Sequence, residues 1–147
     1  MQASVSGTTA ESLPVILIVE DDLLIRTAAA QHLRGCNLAV IEANDVGQAL
    51  DLLSADKSVR VGFIDVDLPG GSNGLDLLRT IQRDYRHVKV LLTTGMIEKA
   101  IGNLDGVTLL SKPYFLFEVE RHIRSLLAQG RPVPSSPDQA LARPLLQ

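Results

Sequence analysis

The stretch that decides the fold is VGFIDVDLPGG, residues 61–71. Four mostly apolar residues run straight into two carboxylates, Asp65 and Asp67, and then into Pro69-Gly70-Gly71. A short continuous apolar run closed by turn residues is the pattern of a strand covered on both faces. The prolyl-glycyl turn takes the chain out of the sheet and leaves the acids at the strand's carboxyl end. Side chains two apart on a strand share a face, so both acids are candidates for one chemical role.

Four more runs of the same kind lie outward from it: VILIV (15–19), LAVIEA (38–43), VKVLLTT (88–94) and VTLLS (107–111). Helical periodicity fills the gaps between them. Residues 22–34 carry Ile25, Ala28, Ala29, His32 and Leu33 at helical spacing, with Gly35 as the residue that ends the helix. Residues 45–54 carry Val46, Ala49, Leu50 and Leu53, with Asn44 as N-cap. Residues 74–84 and 114–128 repeat the pattern, and a short helix is expected between strands 4 and 5, making about five helices. Alternating strands and helices require right-handed parallel crossovers. The expected fold is α/β: a flavodoxin-like, doubly wound, five-stranded parallel sheet in the order 2-1-3-4-5. This domain occupies residues 14–128. Residues 1–13 read as a flexible N-terminal tail, and residues 129–147, with four of the seven prolines, as a Pro-rich tail or linker.

At 147 residues the chain fits one domain with a real core. It is 46% hydrophobic with two Tyr, three Phe and no Trp, so that core is aliphatic. A net charge of −3 gives no reason to expect nucleic-acid binding. The three His are dispersed, and the single Cys36 gives neither a disulfide nor a Cys-based zinc pattern; it reads as a small buried packing residue. MQASVSGTTAESLP has no signal-peptide character, and PVILIV is too short to span a bilayer. A cytoplasmic protein without membrane contact is expected.

The polar clusters fall at strand ends. Strand 1 runs into Glu20-Asp21-Asp22, strand 3 into Asp65-Val66-Asp67, strand 4 into Thr93-Thr94-Gly95 and strand 5 into Ser111-Lys112-Pro113. In the expected strand order all four meet in the crevice where such sheets bind ligands. Taken singly each has an ordinary explanation, such as a solvated helix start or an exposed lysine. Together they are a set of carboxylates that repel unless a cation sits among them, a lysine opposite, and a hydroxyl. A hard ion such as Mg²⁺ suits those acids. The set suits phosphoryl transfer to an aspartate.

ILIVEDDLLIR, FIDVDLPGGSNGLDLL, VLLTTG and LLSKPY together resemble the receiver domain of bacterial two-component response regulators, of the single-domain type, over about residues 14–128. The resemblance implies that Asp65, four residues before Pro69, is the phosphoacceptor. It implies that Glu20, Asp21, Asp65 and the backbone carbonyl of Asp67 bind Mg²⁺, Glu20 mainly through a water. Thr94 would be the switch hydroxyl, and Lys112, before a bond often cis in the family, would contact the phosphate. The donor would be a histidine kinase or a histidine phosphotransfer protein, and the output a conformational change read by a downstream protein. Such a domain phosphorylates and dephosphorylates itself and is not a turnover enzyme. With only 19 residues after 128, no DNA-binding output domain is expected.

Three features depart from the family pattern. Leu109 stands where many receivers place an aromatic residue. The interval from Thr94 to Lys112 is shorter than usual, so a homodimer through the face formed by the helix after strand 4, strand 5 and the last helix is not expected. The PGGSNG loop is longer than the common one. Asp67 and Met96 lie where the family tunes phosphate lifetime. Three other readings are weaker. A pseudo-receiver would keep the fold as an interaction module without phosphorylation. A haloacid-dehalogenase-type phosphatase would read DVDLP as its nucleophile motif, but its second acidic pair belongs downstream. A primase–topoisomerase-type enzyme would want basic surface and a Gly after the Glu.

Overall fold

The computed structural model describes residues 13–70, 73–95 and 106–129. The elements run β1 (Val15–Val19), α1 (Leu23–Gly35), β2 (Ala39–Ala43), α2 (Val46–Ala55), β3 (Val59–Asp65), α3 (Gly74–Asp84), β4 (Lys89–Thr94), β5 (Val107–Ser111) and α4 (Leu116–Gln129). All five strands are parallel, in the order β2-β1-β3-β4-β5. The sequence-based order is borne out. The short helix expected between strands 4 and 5, together with Met96, falls at 96–105, outside the described residues, as do 1–12, 71–72 and 130–147.

Strand alternation divides the core into two layers. Leu17, Val19, Ile64, Val90 and Leu92 pack with Ala49 and Leu53 of α2 and Leu77, Leu78 and Ile81 of α3. Ile16, Ile18, Val61, Phe63 and Leu91 face the other way, onto Ala29, Ala30 and Leu33 of α1 and Val119, Ile123 and Leu126 of α4. β1 is therefore buried along its whole length, which is why its sequence shows no polar alternation. The β1–β3 register shifts between Val15 and Ile16, so that Val15 pairs with Val59 but Ile16 with Val61. Arg60 is the residue skipped. It stays exposed and its Nη1 donates to the carbonyl of Lys57 at 3.0 Å. The extra residue lets β3 bury Val59 in one layer and Val61 and Phe63 in the other.

Two helix ends differ from the sequence-based expectation. The N-cap of α2 is Asp45, not Asn44: the Asp45 carboxylate accepts from Gln48 N–H at 2.8 Å, while the Gln48 amide oxygen accepts from Asn44 N–H at 2.8 Å. Asp45→Ala is expected to cost about 1 kcal/mol. The measurement is urea unfolding, with a lower midpoint and an unchanged slope. Gly35 is the last residue inside α1, and the left-handed position belongs to Asn37, with φ 68°. Leu38 N–H donates to Leu33 O at 3.2 Å and Asn37 N–H to Arg34 O at 3.1 Å, closing the helix in a Schellman motif. Asparagine tolerates that conformation better than other non-glycine residues.

Candidate functional site

Register carries the polar groups to one end of the sheet. Val19 pairs with Ile64, so the next residues, Glu20 and Asp65, leave β1 and β3 side by side. Asp65 pairs with Thr93, Thr93 with Leu110 and Thr94 with Ser111, which puts Lys112 just beyond β5. Lys112 N–H donates to the Thr94 carbonyl at 3.0 Å, and the Lys112–Pro113 peptide bond is cis.

The lysine ammonium lies 3.1 Å from both oxygens of Asp65. Asp65 Oδ1 also accepts from Asp67 N–H at 2.9 Å, which ties the following loop to the acid. This turn also puts the two aspartates in different surroundings. β3 ends at Asp65, whose side chain is 4% exposed; that of Asp67 is 55% exposed and reaches Lys112 Nζ only at 3.9 Å.

Glu20, Asp21 and Asp65 each present a carboxylate oxygen within 4.8 Å of the others. Glu20 and Asp65 are buried and Asp21 is exposed. Burial, chiefly, and then the charge of Asp65 push the Glu20 carboxyl up to about 7, against the opposing pull of Asp22 N–H and Lys112. One lysine does not balance three acids at this range. The donor set is all oxygen, compact and short of positive charge, and it fits a hard divalent cation. Asp22, the third acid of the strand 1 cluster, has a structural task instead. Its carboxylate caps α1, accepting from Leu24 and Ile25 N–H at 2.9 and 3.1 Å.

The expected site residues Glu20, Asp21, Asp65 and Lys112 thus come together. Asp67 stands at the rim, and Thr94 is buried at the neighbouring strand end. Three more residues surround them that the sequence left without a role. Tyr114, following Lys112-Pro113, is edge-on to Phe63 at 5.8 Å. Its phenol is pushed up to about 12 by burial and then by Glu20 and Asp65. Thr93 Oγ1 is buried with no hydrogen-bond partner among the described residues, and it lines a narrow crevice shared with Glu20, Asp65, Phe63 and Tyr114. Arg26 donates to the Glu20 carbonyl at 2.8 Å and pairs with Glu42 at 3.3 Å, anchoring the end of β1. The KPY tripeptide was the only signal pointing to Tyr114. Thr93 stood in the strand 4 end cluster without a role of its own and Arg26 had no signal, because their roles depend on contacts across the sheet.

The sequence profile of the response regulator receiver domain matches residues 16–123. The chain belongs to the receiver-domain family of response regulators. Transcriptional regulatory protein CpxR of Escherichia coli K12 is 31% identical over 118 residues, covering 78% of this chain and 50% of the relative. Aerobic respiration control protein ArcA of the same strain is 30% identical over 120 residues, with 79% and 49% covered. This receiver spans about half the length of these curated relatives. Among solved structures, the signal receiver domain of an HD-domain protein from Pseudomonas fluorescens Pf-5 is 29% identical with a TM-score of 0.72, covering 80% of this chain and 97% of that one. The receiver domain of the hybrid histidine kinase CckA is 28% identical with a TM-score of 0.66, covering 77% and 98%. No helix among the described residues of the receiver is long and apolar enough to cross a membrane.

Proposed function

We propose that this receiver accepts a phosphoryl group on Asp65 from the phosphohistidine of a histidine kinase or a histidine phosphotransfer protein. The observation that carries the reading is the environment of Asp65: a buried carboxylate at the crevice of a doubly wound sheet, with Lys112 Nζ 3.1 Å from both oxygens and two further acids within ligand reach. Glu20, Asp21, Asp65 and the backbone carbonyl of Asp67 would hold Mg²⁺, whose charge offsets that of the acids and of the incoming phosphoryl oxygens.

An Asp65 carboxylate oxygen bonds to phosphorus as the phosphorus–nitrogen bond of the donor breaks, and the imidazole leaves with the electron pair. Lys112, already against Asp65, steadies the charge that builds on the phosphoryl oxygens. The hydroxyl of Thr94 contacts the acyl phosphate and transmits its arrival. The phosphoryl group brings a charge of about −1.5 to −2 to a site that was already acidic, and this biases the loops around it. Leu109 packs with the α2–α3 layer of the core, so no aromatic ring at that position takes part. The modified chain acts on a downstream protein through the resulting change of surface.

The test is to incubate the full chain with Mg²⁺ and acetyl phosphate and weigh it intact. A gain of one phosphoryl mass is expected, and none with EDTA. Lys112→Ala is expected to slow the gain at least about tenfold. Absence of any gain, or sustained hydrolysis of varied phosphate esters, would overturn the reading.

A further inference from the structure

A second group of potential ligands lies away from the acidic crevice, where the C-terminal end of α1 meets α4. His32 and Cys36, four residues apart, put Nε2 and Sγ 3.8 Å from each other. Glu120 of α4 brings Oε1 to 3.7 Å from the same His32 nitrogen. The three donor atoms all lie within 4.8 Å of one another, on half-buried residues. We propose that His32, Cys36 and Glu120 form a site for a thiophilic divalent cation of the zinc class, with the fourth position open to water.

The geometry is close to what such an ion needs. Zinc bonds of about 2.0–2.3 Å at tetrahedral angles give ligand–ligand edges of about 3.3–3.6 Å. The two measured edges, 3.7 and 3.8 Å, lie just beyond that range, a difference that side-chain rotation supplies. A nitrogen, a sulfur and one carboxylate oxygen also select the metal. Mg²⁺ seeks oxygen ligands alone, whereas zinc takes all three.

Arg124 pre-sets the carboxylate. Its Nε donates to Glu120 Oε2 at 2.9 Å, leaving Oε1 turned to His32. Its Nη2 donates to the Cys36 carbonyl at 2.7 Å, fixing the backbone that carries the thiol. A charged group that holds a ligand's far oxygen is a recurrent feature around bound metals. The arrangement bridges two helices that share one core layer, so an ion there would pin the end of α1 to α4. This site does not depend on phosphorylation of Asp65.

The experiment is a titration of the reduced, metal-stripped full chain with Co²⁺, with excess Mg²⁺ present to occupy the acidic crevice. Saturation at one equivalent is expected, with a near-ultraviolet thiolate-to-cobalt charge-transfer band and the visible bands of a tetrahedral ion. One equivalent of Zn²⁺ should displace the cobalt and raise the melting temperature. Cys36→Ser should lose the charge-transfer band while keeping the far-ultraviolet dichroism of the parent. His32→Ala and Glu120→Gln should each weaken Co²⁺ binding at least tenfold. No charge-transfer band at stoichiometric cobalt would overturn the proposal. So would unchanged affinity in either the His32 or the Glu120 variant, which would leave an isolated thiol rather than a built site.

Discussion

Asp65→Asn is expected to gain no phosphoryl group from acetyl phosphate and Mg²⁺ under conditions that fully modify the parent chain. The amide has the shape of the carboxylate but lacks its nucleophilic charge, and its oxygen is a poorer partner for a divalent ion. The variant should nonetheless stay folded. Lys112 loses an ion pair at 3.1 Å, but its side chain is 33% exposed and Asp67 remains 3.9 Å away. Against that loss, Glu20 and Asp21 are relieved of a like charge within 4.8 Å. The two effects oppose each other, so the melting temperature should move by less than roughly 5 °C. Intact-mass spectrometry and a thermal melt on the same sample check both halves. A phosphoryl gain equal to the parent's would place the acceptor elsewhere.

Gly74→Ala is expected to be the most damaging small substitution near the site. A Cβ on Gly74 would fall 2.3 Å from the Asp65 carbonyl oxygen, 2.7 Å from Val66 Cα and 2.9 Å from the Asp65 carbonyl carbon. These are backbone atoms, so no rotamer change relieves the overlap. The close approach follows from how α3 begins. Gly74 N–H donates to the Val66 carbonyl at 3.1 Å, seating the helix start on the end of β3. A methyl group there must push α3 away from the strand or shift Asp65 itself. A loss of about 3 kcal/mol is expected, a fall of roughly 10 °C in melting temperature, with slower phosphoryl uptake because the acceptor is the residue displaced. Gly35→Ala should have the opposite sign. It lies in α1, and a methyl group added there would meet nothing within 4 Å. Alanine in a helix is favoured over glycine by roughly 0.5–1 kcal/mol. Urea unfolding of the pair checks the contrast; equal midpoints would refute it.

Much of the molecule was legible in the chain because its signals are local. Continuous apolar runs announced buried parallel strands. The acids, threonines and lysine at their ends then followed from the strand order, since the carboxyl ends of parallel strands share one edge. Helix termini were less legible. Asn44 and Asp45 are both capping residues by type, and only the hydrogen bond from Gln48 N–H to Asp45 Oδ1 separates them. Gly35 looked like a helix end, yet the chain closes α1 two residues later at Asn37, because the Schellman bonds to Leu33 and Arg34 form there.

By itself the sequence determined the sheet, its order, the family and the acids that meet at its edge, because those depend on periodicity and on spacing within short segments. The spacing to Pro69 already set Asp65 apart from Asp67 in role; the tertiary structure supplied the physical difference, ending β3 at Asp65 and burying it while leaving the Asp67 side chain 55% exposed. Only the tertiary structure set Gly74 against the backbone of Asp65 and Val66, a close approach that spacing does not reveal. And only it turned Cys36, read from the sequence as a buried packing residue, into a half-buried thiol beside His32 and Glu120. Glu120 lies 84 residues beyond Cys36, and the packing of α4 against α1 on one face of the sheet is what brings them together.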